Sequence, residues 1–289
     1  MIRKIKNGIK TFAKICQHKP MTALINVIEP TEVLNGKIAL VTGGTSGIGK
    51  AIAETFYKAG ATVIITSRSK DRAEVVANEI SSNRVIGIGL DSTDIKNLRN
   101  RLGEIKTMIN GRTIDILVNN AGLVGGDIRN TSEVDFDKII NTNLKSVFFL
   151  SRLIAEDMVK NGIEGNILNI ASSSSLRPAI SAYTLSKWGV RGLTQGLAKM
   201  FAPHGIVVNG LAPGPTATPM LGKKDYSDIA LPTSPIGRYA LPEEIAAMAL
   251  FLCGPQGRTI IGDIVYMTGG AGVIENNDMN YDFVINDCK

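Results

Sequence analysis

Between Lys37 and Asn119 four short runs that are apolar at almost every position alternate with three stretches of helical spacing, and this alternation constrains the fold more than any other feature. The runs are Lys37–Val41, Ala61–Thr66, Val85–Leu90 and Asp115–Asn119. The helical stretches end at Ala59 and cover Asp71–Ser81 and Asp94–Ile109. A strand that shows no polar face is buried on both sides, and strands alternating with helices are covered by those helices. The spacing therefore predicts a parallel sheet with helices on both faces. Further strands are predicted at Asn166–Ile170, Ile206–Asn209 and Ile264–Met267, with helices over 133–160, 183–201 and 242–252. There is no repeat, low-complexity segment or interdomain linker, so the expectation is one doubly wound α/β domain of about seven strands over residues 36–272.

The first predicted strand runs directly into Thr42-Gly43-Gly44-Thr45-Ser46-Gly47-Ile48-Gly49 and then into a helix. Glycines at such a junction let the backbone approach a phosphate, and the free N–H groups of the helix N-terminus receive its charge. The three-residue gap between Gly43 and Gly47 differs from the more familiar glycine fingerprint of dinucleotide folds. At the end of the second strand an acid would bond a ribose 2′-hydroxyl, whereas a basic residue accommodates a 2′-phosphate. Ser67 stands at the acid position and Arg68 follows it. This favours NADP(H), with NAD(H) as the other option; an ordinary surface arginine beside Lys70 and Arg72 is the plain alternative.

Tyr183 and Lys187 are four residues apart on a predicted helix, so they share a face. A free tyrosine has a pKa of about 10 and is a poor base at neutral pH. A neighbouring ammonium stabilises the phenolate, which makes the pair a proton donor and acceptor suited to a carbonyl/alcohol couple. Ordinary helices also carry Tyr and Lys at this spacing, and the pair decides little alone. The same helix carries Leu185, Trp188, Gly189, Leu193 and Leu197 at helical spacings, an expected apolar face.

Charge and composition close off other classes. All six cations of residues 1–20 lie among no acids, and the other 26 basic residues balance the 26 acidic ones, so the net charge of +6 describes one end of the chain. A nucleic-acid-binding domain is not expected. Residues 1–16 place Ile2, Ile5, Ile9, Phe12, Ala13 and Cys16 on one helical stripe among lysines. That pattern allows contact with an anionic membrane surface, though the narrow stripe without Trp or Leu anchors does not favour it. Residues 20–35 read as a connector. Cys16, Cys253 and Cys288 are odd in number and far apart, and His18 and His204 are the only histidines. Neither a disulfide framework nor a metal site is expected, and a reducing, cytoplasmic setting fits.

Taken in order, the glycine turn at 42–49, Asp91 after the third strand, Asn119-Asn-Ala-Gly122 after the fourth, Asn143 in Asn-Leu-Lys-Ser-Val-Phe, Tyr183-x-x-x-Lys187 and Asn209-Gly-Leu-Ala-Pro-Gly214 resemble the short-chain dehydrogenase/reductase family. The resemblance spans residues 37 to about 270. It implies a Rossmann-type fold and an oxidoreductase that interconverts a ketone and a secondary alcohol. Tyr183 would be the acid/base, and Lys187 would lower its pKa and bond the nicotinamide ribose. Asn143 would hold a water linking Lys187 to solvent. Gly43, Thr45, Ser46, Gly47, Ile48 and Gly49 would cradle the phosphates, beside the Ser67–Arg68 selector. Asp91 would bond the adenine amine, or cap the next helix with Asp94. Asn119 and the Ala121-Gly122 backbone would line the adenosine side. Pro213 and Gly214, with Thr216 and Thr218, would close over the nicotinamide.

The resemblance places a substrate-positioning serine after the fifth strand, where Asn169-Ile170-Ala171-Ser172 selects Ser172. Ser172 precedes Tyr183 by eleven residues, two fewer than is usual for the family, so Ser173 is the next candidate. Residues 219–235, with Met220, Tyr226, Pro232 and Pro235, occupy the position of a substrate lid. Residues 273–289 extend past Gly269-Gly270 as a polar tail carrying Tyr281, Phe283, Val284 and Ile285. The pattern is similar to 3-oxoacyl reductases and gluconate-type dehydrogenases alike, and a homotetramer or homodimer is implied. Two other readings are a nucleotide-sugar epimerase or dehydratase and a non-catalytic dinucleotide sensor or scaffold.

Overall fold

A computed structural model describes residues 32–223 and 228–274. The readings made for residues 1–31, for Tyr226 and for the tail beyond residue 274 lie outside the described residues. Seven strands form one sheet: β1 (Ile38–Val41), β2 (Thr62–Ser67), β3 (Val85–Gly89), β4 (Ile116–Asn119), β5 (Asn166–Ile170), β6 (Val207–Pro213) and β7 (Ile264–Met267). All pairs are parallel, in the order β3-β2-β1-β4-β5-β6-β7. The chain builds outward from β1 to β3 and then crosses back to place β4 on the other flank of β1. The connections leave β1 and β4 in opposite directions, which opens a crevice at their carboxyl ends.

The connecting helices are α1 (Gly47–Lys58), α2 (Lys70–Ile80), α3 (Ile95–Met108), α4 (Glu133–Ile140), α5 (Ser146–Lys160), α6 (Ala182–Phe201) and α7 (Pro242–Cys253). Alternate strand residues feed two cores. Ala39, Val41, Val63 and Ile65 pack with Ile52 and Phe56 of α1 and Ile245 and Leu252 of α7. Ile38, Leu40, Ile64 and Leu117 pack with Leu98 of α3, Leu150 and Ile154 of α5 and Leu197 of α6. This two-sided burial is why the strands lack a polar face. Leu34 is also buried in the first core, and its N–H bonds the Ala59 carbonyl, so the packed body includes the end of the connector.

Two expectations change. The single helix predicted over 133–160 is interrupted by a π-helical turn at Asn141–Lys145, where the Ser146 N–H bonds the Asn141 carbonyl five residues back. The wider turn shifts the helical face, and apolar periodicity does not register one inserted residue. The apolar stripe on α6 divides: Leu193 and Leu197 pack in the second core, whereas its N-terminal part does not. Leu185 and Trp188 are exposed, while Ser186, Lys187, Val190, Thr194 and Leu197 are buried. Gly189 lies between, and a Cβ there would stand 2.7 Å from Leu144, so α6 approaches the π turn closely.

Candidate active site

The carboxyl ends of β1 and β4 are tied together by two side chains. The buried Thr42 hydroxyl donates to the Val118 carbonyl (3.3 Å) and accepts the N–H groups of Asn120 (2.9 Å) and Ala121 (3.0 Å). Asn120 Nδ2 donates to the carbonyls of Thr42 (2.9 Å) and Gly43 (3.1 Å). The glycine turn is thus held from the β4 side. Gly43 (φ +63°) and Gly47 (φ +52°) are left-handed, which a side chain would strain. Gly49 is required by space: its Cβ would stand 2.3 Å from Asn120 Nδ2 and 2.4 Å from the Gly43 oxygen. Gly49→Ala is expected to cost about 1–3 kcal/mol by overpacking. At roughly 2–4 °C per kcal/mol for a domain of this size, a melting experiment reads that loss directly.

Ser46 precedes α1 in an extended conformation, and its side chain makes no capping bond; the first turn carries no acid. The leading N–H groups of α1 and the positive end of its dipole are therefore left for an anion. Beyond the turn, Ser67, Arg68 and Arg72 form one wall, and Asp91, Ser92 and Thr93 form the next. Asp91 accepts the N–H (2.9 Å) and hydroxyl (2.7 Å) of Thr93. The cap of α3 is Asp94, which accepts the Asn97 N–H. The two acids have separate jobs. The Arg68 guanidinium makes no hydrogen bond or ion pair with the described residues.

At the other end of the crevice a tight 3₁₀ turn, Ser173–Leu176, follows β5. Ser172 accepts the Ser174 N–H (3.1 Å), and its hydroxyl faces the Tyr183 phenol. Ser173 and Ser174 also line the crevice, whereas Ser175 turns away to the Ser172 carbonyl (2.8 Å) and the Tyr266 hydroxyl (3.2 Å). Lys187 is 5% exposed; its Nζ donates to the Ile170 carbonyl (2.7 Å) and lies 5.7 Å from the Tyr183 ring centroid. Burial lowers the Lys187 pKa to about 8.

The expectation that Lys187 lowers the Tyr183 pKa is not met here. Burial dominates and raises Tyr183 above its ordinary value, opposed only by the Ser172 hydroxyl. The ammonium is directed to the Ile170 carbonyl and the ring face, and desolvation weakens the ammonium itself.

Asn143 lies behind this pair, 1% exposed, within the π turn. Its Nδ2 donates to the Leu123 carbonyl (2.8 Å) and the Ser186 hydroxyl (3.1 Å), and its Oδ1 accepts the Leu123 N–H (2.8 Å). Both amide hydrogens are used, which leaves one lone pair on Oδ1. Ser186 in turn donates to the Tyr183 carbonyl (2.6 Å), so Asn143 braces the first turn of α6.

One crevice of about 800 Å³ brings together Gly43, Thr45, Ser46, Gly47, Ile48, Ser67, Arg68, Asp91, Ala121, Gly122, Ser172, Tyr183, Lys187, Pro213, Gly214, Thr216 and Thr218. Gly49, Asn119 and Asn143 do not line it. Asn119 turns inward, where Nδ2 donates to Ser151 (2.9 Å) and Asn169 (2.8 Å), because it is the last residue of a strand buried on both faces. Its neighbour Asn120 lines the crevice instead. Sequence reasoning passed over Asn120, Thr42 and Ser186. The paired asparagines were a usable signal, since only one of two adjacent amides can face the interior.

A doubly wound parallel sheet, a glycine turn feeding an uncapped helix at the switch point and a buried Tyr–Lys pair define a dinucleotide-binding oxidoreductase of Rossmann type. The sequence model of the short chain dehydrogenase family matches residues 37–228. The chain belongs to that family. It is 35% identical over 249 residues to the 3-oxoacyl-(acyl-carrier-protein) reductase FabG of Aquifex aeolicus, covering 82% of this chain and 98% of that one. Among solved structures it resembles a 3-ketoacyl-(acyl-carrier-protein) reductase from Brucella melitensis complexed with NADH (TM-score 0.74, 33% identity, 83% of this chain and 100% of the other). It is equally similar to a short chain dehydrogenase from Burkholderia cenocepacia in complex with NADP (TM-score 0.73, 35% identity, 82% and 98%). Among the described residues no helix is long and apolar enough to cross a membrane.

Proposed function

We propose that the protein is an NADP(H)-dependent oxidoreductase that interconverts a ketone and a secondary alcohol, with Tyr183 as acid and base. The observation that carries this reading is the placement of Tyr183 between Ser172 and Lys187 in the same crevice as the glycine turn and Arg68. The residues fit a dinucleotide. A side chain at Gly47 would close the floor against Thr218 (3.2 Å), and one at Gly43 would meet Ala121 Cα (3.0 Å). Gly43, Thr45, Ser46, Gly47 and Ile48 would hold the pyrophosphate on the α1 N-terminus. Arg68, with Arg72, would take the 2′-phosphate, and Asp91 the adenine amine. Ala121 and Gly122 would line the adenosine side, and Pro213, Gly214, Thr216 and Thr218 the nicotinamide. The bound nicotinamide supplies hydride chemistry.

The protein supplies position and protons. In reduction Tyr183 donates its phenolic proton to the carbonyl oxygen, and in oxidation it accepts the proton back. Ser172 donates a hydrogen bond to that oxygen and holds it beside Tyr183. Its contact with the phenol supports Ser172 over Ser173. Lys187, one helical turn from Tyr183, returns the proton, and the free lone pair on Asn143 Oδ1 is available to a relay water. We also propose a homo-oligomer, in which a second copy covers the exposed Phe148 of α5 and Leu185 and Trp188 of α6.

The test is oxidation of NADPH beside NADH over 3-oxoacyl thioesters, keto-sugar acids and simple diketones, with wild type and Arg68→Ser. A guanidinium–phosphate bond of about 1.5–3 kcal/mol predicts a loss of roughly 10- to 150-fold in kcat/KM for NADPH, with NADH little affected. Equal loss with both coenzymes would remove the NADP assignment. Tight coenzyme binding without turnover of any ketone would leave a sensor.

A further inference from the structure

The crevice is more cationic than a dinucleotide requires. Among the described residues lining it, Asp91 is the only acid, against Arg68, Arg72, Lys138, Arg177 and Lys187. Arg68 follows β2 and Arg177 lies beyond β5, three strand spacings away in the order β2-β1-β4-β5, or roughly 14 Å at the strand ends. Arg177 therefore stands at the reacting end, directly after the 3₁₀ turn that presents Ser172. Its guanidinium has no ion-pair or hydrogen-bond partner among the described residues.

The Arg177 backbone is held on two sides. Its N–H bonds the Ser174 carbonyl (3.2 Å), and its carbonyl accepts the Trp188 indole N–H (2.9 Å). The guanidinium lies against Gly272, where an added Cβ would stand 3.1 Å from Nε and 3.3 Å from Nη2. Gly272 is left-handed (φ +74°) as well, so this space is kept clear twice over. Around the same mouth Val124, Met220 and Leu221 are exposed and apolar. A guanidinium with a braced backbone and no partner among the described residues, at the edge of an apolar mouth, is suited to a bidentate anion.

We infer that Arg177 is a specificity-determining residue that pairs with an anionic group on the substrate, a carboxylate or a phosphate carried beyond the reacting ketone. The inference rests on the oxidoreductase reading above. Its test uses one ketone in three charge states: acetoacetate, 3-oxobutanoyl-coenzyme A and the neutral N-acetylcysteamine thioester of the same acid. A keto-aldonic acid beside a neutral ketose forms a second series.

With wild type, kcat/KM is expected to be at least tenfold higher for an anionic member than for its neutral counterpart. In Arg177→Gln that ratio should fall to within about twofold, chiefly through KM for the anionic member. Arg177→Lys should retain part of it. Arg99→Gln, at a surface ion pair with Glu156, should retain all of it. Preference for the small acids alone identifies a carboxylate, and preference for the coenzyme A thioester alone identifies a phosphate. Equal rates for neutral and anionic members, or a preference that survives Arg177→Gln, overturn the inference and leave the oxidoreductase reading intact. No turnover in either series overturns both.

Discussion

Tyr183→Phe is expected to reduce turnover roughly 10²- to 10⁴-fold, the range for loss of a positioned acid or base, while leaving coenzyme affinity and melting temperature nearly unchanged. The phenolic oxygen is the only part of the side chain removed, and the ring still packs under Lys187 Nζ at the observed 5.7 Å. Ser172 loses a partner but keeps its bond from the Ser174 N–H, so the 3₁₀ turn is retained. Steady-state rates and coenzyme titration on the same preparation separate the two effects. Lost turnover with retained binding supports the acid/base role. An activity loss matched by lost binding would point instead to a structural role for the phenol.

Lys187→Met is expected to inactivate the enzyme while changing the pH dependence of its stability in a defined direction. The Lys187 pKa is lowered by burial from 10.5 to about 8 in the folded protein. Below pH 8 both folded and unfolded chains carry the ammonium, and the folded chain bears the full desolvation cost. Between pH 8 and 10.5 the unfolded chain binds more protons, so wild-type stability from this group rises with pH. The shift corresponds to about 3 kcal/mol at neutral pH, offset in part by the charged hydrogen bond to Ile170.

Methionine removes both terms. The variant should therefore compare best with wild type near pH 7 and lose ground steadily between pH 8 and 10.5. Denaturant titrations across that range measure the difference. A constant difference would show that Lys187 titrates normally and is better solvated than its 5% exposure implies.

The glycine turn, the seven strands and the Tyr183–Lys187 pair were legible because each is written in local spacing. Apolar runs of strand length give a two-sided sheet, and an i,i+4 pair shares a helix face wherever the helix lies. The position of Ser172 after β5 was legible, and the structure places it in the crevice facing Tyr183. The apolar residues on α6 were legible as a stripe, but not that Leu185 and Trp188 face outward while Leu193 and Leu197 enter the core. Periodicity reports that a face is apolar, and an exposed face and a core look alike to it.

What the sequence determined by itself is the set of elements, their order and the residues able to carry the chemistry, since these depend on neighbours a few positions apart. The tertiary structure decided the rest: that Asn120 and not Asn119 clamps the glycine turn, that a π turn carries Asn143 behind Lys187, and that burial, opposed by the Ser172 hydroxyl, raises the Tyr183 pKa. The Asn120 bond to Thr42 joins residues 78 apart, and Lys187 meets a carbonyl 17 residues earlier. Desolvation and hydrogen bonding between distant segments depend on how the sheet closes around them, and no local spacing encodes that.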